Sequence, residues 1–155
     1  MGFFKKIFNK EKSIEVTISD QIYDLLKGEL MLYGKTKKDL PTNLSNSNRS
    51  LGIISGMVMY YIDFYEIDDK NKSELLTNCI HRVFMSVFGY KKGTIYYKGV
   101  KDLFEYNKLD NFPEFKKGCD IGYRDCEKFI SQQDIPSEWV TYVFNIRIGS
   151  NGLSY

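Results

Sequence analysis

The stretch LGIISGMVMYYI, residues 51–62, constrains this chain more than any other: it is twelve apolar or small residues long and carries Gly52 and Gly56 four apart. A membrane-spanning helix needs about 20 predominantly apolar residues. Twelve residues at about 1.5 Å rise cover only about 18 Å, against a hydrocarbon layer of about 30 Å. Asp63 and Glu66 follow directly, and carboxylates at that depth cost a few kcal/mol each. The run therefore predicts a buried helix of a globular protein, extending from about residue 50 to residue 67.

Each glycine in a helix interior costs about 1 kcal/mol relative to Ala, so something must offset Gly52 and Gly56. With Ser55 they form a smooth patch on which a second helix can lie close. The same spacing recurs in GCDIG, at Gly118 and Gly122. We expect these two patches to face each other.

Around this helix the periodicity predicts others. Ile22, Leu25, Leu26, Leu30 and Tyr33 form one stripe after Ser19, which suits a helix cap. SELLTNCIHRVFMSVFG predicts a helix capped by Ser73, with Leu76, Ile80, Val83, Phe84, Val87 and Phe88 inward and Gly89 as its stop. Residues 94–109 read as helix through Val100, Leu103, Phe104 and Tyr106. The next helix opens with Asn111 three residues before Glu114, a capping-box spacing, and with Pro113 in its first turn. A last helix spans about residues 136–149. The alternation of Ile14, Val16 and Ile18 predicts one short N-terminal strand. The fold class is accordingly mainly α: a compact bundle of five to six helices, with that strand at its start.

Two segments stand apart. Residues 35–49 form a polar loop rich in Asn and Ser, with Pro41. Residues 1–12 are basic and amphipathic, with Phe3, Phe4, Ile7 and Phe8 on one helical face and Lys5, Lys6, Lys10 and Lys12 against Glu11 alone. These phenylalanines are candidates for contact with an anionic membrane surface, where each Lys contributes about 1 kcal/mol; packing onto the protein's own core is the plainer alternative. The segment lacks the apolar region and cleavage site of a signal peptide. Residues 13–155 read as a single helical domain, a length that buries about two thirds of the unfolded surface without metal or disulfide.

The composition excludes several functions. A net charge of +2 over 155 residues disfavours nucleic-acid binding. Three cysteines, Cys79, Cys119 and Cys126, have no C-x2-C spacing, so buried reduced thiols in a cytosol are expected, with no zinc site. His81 is the only histidine. The acidic run DFYEIDD lacks the Gly and Glu of a calcium loop, and no phosphate loop or hydrolase motif is present. No cofactor, metal ligand or catalytic set is expected.

What remains is recognition. Aromatic residues make up 15% of the chain, and Tyr60, Tyr61, Phe64 and Tyr65 extend around the end of the glycine-bearing helix. Exposed aromatics are preferred anchors at interfaces. The leading expectation is a small cytosolic helical protein that binds another protein, as an adaptor, inhibitor or immunity-type factor, and the Lys, Asn, Ile and Tyr bias fits a bacterial or phage source. Two alternatives stand beside it: an enzyme or small-ligand domain with a pocket between helices using Cys119, Tyr123 and Asp125, and a peripheral membrane protein using residues 1–12.

Overall fold

The computed structural model describes residues 13–41, 48–105 and 108–145. Phe3, Phe4, Ile7 and Phe8 lie outside the described residues, as does the end of the expected last helix. Six α-helices are present among the described residues: α1 (Ile14–Leu32), α2 (Asn48–Phe64), α3 (Asp69–Phe88), α4 (Tyr90–Glu105), α5 (Pro113–Gln132) and α6 (Glu138–Val143). They pack as a helical bundle. Short 3-10 turns at Lys37–Asp39 and Leu109–Asn111 complete the order.

The expected N-terminal strand is instead the opening of α1. Ser13 caps it, its Oγ accepting the Val16 N–H at 3.2 Å. Ile14 and Ile18 are one helical turn apart and continue into Ile22, Leu25 and Leu26, so the apolar stripe is helical from its first residue. Ser19, expected as the cap, is buried inside the helix and donates to the Glu15 carbonyl at 2.7 Å.

Other boundaries shift for equally local reasons. α3 starts at Asp69, a turn before Ser73. It stops at Gly89, whose φ of 89° reverses the chain in a single residue into α4. α4 returns along α3 closely enough that a Cβ on Gly93 would lie 2.6 Å from the Phe84 carbonyl carbon. The capping box expected at Asn111 does not form; Phe112 precedes α5 with no side-chain cap, and Glu114 pairs with Arg49.

α2 and α5 form the axis of the bundle and run parallel. Arg49 meets Glu114, Gly52 meets Gly118, Gly56 meets Cys119, and Tyr60 meets Tyr123. The two glycine pairs lie at the crossing. A Cβ on Gly56 would stand 2.7 Å from the Cys119 carbonyl carbon, and one on Gly122 would stand 3.0 Å from the Met57 nitrogen. At Gly118 the nearest part of α2 is also backbone, with Gly52 Cα at 3.0 Å from a built Cβ. Such separations leave no room for any side chain, which is what offsets the helical cost of these glycines.

α1 and α3 flank this axis, and α6 closes one side of it. Trp139 of α6 is fully buried and its Nε1–H donates to Ser50 Oγ on α2 at 3.1 Å. No described helix is long and apolar enough to cross a membrane.

Candidate functional site

Because α2 and α5 run parallel, their C-terminal ends emerge together, and the side chains beyond the glycine crossing become bulky. Tyr60, Tyr61 and Phe64 come from the last turn of α2, Tyr65 follows it, and Tyr123, Phe129 and Ile130 come from α5. The rings of Tyr60, Tyr61, Phe64, Tyr65 and Tyr123 form a connected cluster. Tyr60 stands edge-on to Tyr123 at 5.3 Å between centroids, and Phe64 stands edge-on to Tyr65 at 5.2 Å. Separations and angles of this kind favour aromatic pairs beyond simple burial.

The four aromatic positions read from sequence divide. Tyr61 and Tyr65 are buried, at 3% and 8% exposure, and belong to the core. Tyr60 is half-buried, and Phe64 is 38% exposed. The candidate contact surface is thus Phe64 with part of Tyr60, carried on a floor made by the other two.

That floor is pinned by polar contacts. The Tyr65 hydroxyl donates to Gln21 Oε1 on α1 at 2.9 Å. The Tyr123 hydroxyl donates to Asp63 Oδ2 at 2.9 Å, and Asp63 also pairs with Lys72 of α3 at 3.2 Å. Hydrogen bonding to Asp63, then burial, raises the Tyr123 hydroxyl pKa above its ordinary value. Asp63 therefore ties α2, α3 and α5 together. Beside the rings, Leu25, Tyr61, Phe64, Phe129 and Ile130 line a shallow cleft of about 500 Å³ between α1, α2 and α5, with Gln21 and Asp24 on its edge.

The pocket expected from Cys119, Tyr123 and Asp125 does not assemble. Cys119 packs on Gly56, Tyr123 turns outward to Asp63, and Asp125 lies two residues on, across the helix, facing Glu138 of α6. Burial pushes the Cys119 and Cys79 thiols up to about 12, and it also raises Cys126. All three are thus neutral and poorly nucleophilic near neutral pH.

His81 serves the α3–α4 hairpin. Its ring stacks on Tyr97 at 4.1 Å and its Nε2 lies 3.1 Å from Thr94 Oγ1. Burial lowers its pKa. Among the described residues no group of three or more His, Cys, Asp or Glu is placed to hold a metal ion.

A second apolar cleft, of about 400 Å³, opens between α4 and the starts of α2 and α5, lined by Leu51, Ile95, Leu103, Phe112 and Phe115 among others. Sequence reading did not anticipate it. The signal available was Ile95, an apolar residue off the inward stripe of α4 and 57% exposed.

The chain matches no family model, and comparisons with curated proteins and with solved structures find no match.

Proposed function

We propose that this protein acts by binding another protein, and that the contact is made by the aromatic end of the α2–α5 pair. The observation that carries the reading is Phe64: a phenylalanine more than one third exposed, resting on rings held by hydrogen bonds to α1 and through Asp63. A fixed aromatic beside an apolar cleft loses little conformational freedom on binding and offers a partner both an anchor and a slot. The lining of that cleft, from Leu25 to Ile130, is mainly apolar and suits an apolar side chain of the partner. As part of the same proposal, the protein is a cytoplasmic adaptor, inhibitor or immunity-type factor of bacterial or phage origin, a reading supported by composition.

The test is a photo-crosslinking amino acid placed at position 64 of the full chain in its own host. One dominant protein crosslinked from position 64, and not from position 95, is the expected result. Crosslinking only from position 95 would transfer the reading to the α4 cleft.

A further inference from the structure

Two carboxyl groups are buried together where α1, α5 and α6 meet. Glu29 occupies a core position of α1 between Leu26 and Leu30 and is fully buried. Among the described residues neither of its carboxyl oxygens has a hydrogen-bond partner. On α5, Asp125 is also buried and its Oδ2 has no hydrogen-bond partner among the described residues, while the main-chain N–H of Glu138 donates to its carboxyl group. The groups acting on this pair are the Glu138 carboxylate from α6, Arg124 and Lys128 from the outer side of α5, and the neutral Cys126 thiol next to Asp125. Both cations are exposed, and none of these groups comes from α2.

A buried carboxylate with neither counter-ion nor hydrogen bond is strongly unfavourable, and two of them repel. The neutral acid is far cheaper to bury and adds an O–H donor. We propose that Glu29 and Asp125 form a buried proton-binding site, which seats α6 against α1 and α5 while protonated and weakens that seat when the proton leaves to solvent.

Burial, then the charges of Asp125 and Glu138, holds Glu29 well above the usual carboxylate range. Burial, then Glu138, moves Asp125 from 3.8 to about 6 against the opposing pull of Lys128 and the Glu138 N–H. Folded-state pKa values raised above the unfolded ones mean that the pair's contribution is fully present below about pH 4 and is lost as pH rises through 6 and beyond. A cation held between the carboxylates would give the opposite slope, because it favours their ionised forms.

The experiment is thermal unfolding of the full chain at pH 5 and pH 8, followed by fluorescence of Trp139, the only tryptophan and a residue of α6. Wild type should melt at least about 5 °C lower at pH 8 than at pH 5. Glu29→Gln should lose most of that difference by melting higher than wild type at pH 8, and Asp125→Asn should lose part of it. Should Glu29→Gln not fold, Asp125→Asn carries the comparison, together with proton release on unfolding the wild type at pH 5.5, expected at about one proton or more. The proposal is overturned by an unchanged pH dependence in the variants, by no proton release, or by stability that rises from pH 5 to pH 8 and rises further with added Ca²⁺ or Mn²⁺.

Discussion

Gly56 of α2 lies directly against the main chain of Cys119 of α5, with a Cβ built on the glycine 2.8 Å from the cysteine Cα. No rotamer change can relieve such a clash, because the neighbouring atoms are backbone. The helices must part for any side chain to enter, and the aromatic end they support must then move with them.

This contact separates the glycines of the chain into two kinds. Gly56→Ala and Gly122→Ala should each lower stability by about 2 kcal/mol, the overpacking cost exceeding the gain in helix propensity. Gly28→Ala and Gly99→Ala, helical positions where an added Cβ meets nothing within 4 Å, should raise stability by about 0.5–1 kcal/mol. Denaturant midpoints of the four variants check both signs, and stabilisation by Gly56→Ala would mean that the helices do not approach this closely.

The Trp139–Ser50 hydrogen bond predicts an asymmetry of its own. Both side chains are fully buried, so Ser50→Ala leaves the indole N–H without an acceptor and should cost about 1–3 kcal/mol. Trp139→Phe in the Ser50→Ala background should lose less than the sum of the two single changes, as a double-mutant cycle by chemical denaturation would read.

At the end of α5, Gln133 adopts a left-handed conformation, φ 60°, while its N–H bonds the Phe129 carbonyl at 3.0 Å. Gln133 is exposed, so its side chain contributes little to offset that strain. Gln133→Gly should stabilise the fold by about 0.5–1 kcal/mol, seen as a rise of a few degrees in Tm. No change or a loss would show that this position is held by contacts of the glutamine side chain.

His81 should act on stability in the direction opposite to the Glu29–Asp125 pair. Its pKa is lowered by burial, so its contribution is present above its ordinary value near 6.5 and is lost as pH falls through the folded-state value. His81→Phe, which keeps a ring against Tyr97, should gain more stability than wild type between pH 7 and pH 5, measured by urea titration at the two values. An unaltered acid slope would contradict the assignment.

The helical class and the glycine contact were legible because each rests on a local rule: a 3.6-residue stripe, and a pair of residues too costly in a helix unless a neighbour needs the space. The first turns of α1 were not. Over five residues, Ile14, Val16 and Ile18 satisfy both a two-residue and a four-residue period, and only the Ser13 cap and the continuation into Ile22 decide between them. The division of the aromatic quartet was equally hidden, because it depends on where α1 and α5 lie against the end of α2. Tyr65 is buried by its bond to Gln21, a residue 44 positions away. Glu29 did leave a trace, since it falls on the stripe between Leu25, Leu26 and Tyr33 where a charged residue is out of place. Its lack of any partner could be known only from the packed structure.

The most direct measurement is quantitative copurification of the tagged full chain and three variants from its own host. Phe64→Asp should abolish a stoichiometric partner that the wild type retains, since loss of a central aromatic anchor removes 2 kcal/mol or more, roughly a thirtyfold weakening. Gln133→Gly and Ile95→Asp, with circular dichroism as the check on folding, should retain it. A partner kept by folded Phe64→Asp and lost from folded Ile95→Asp would contradict the assignment of recognition to the aromatic end of α2 and α5.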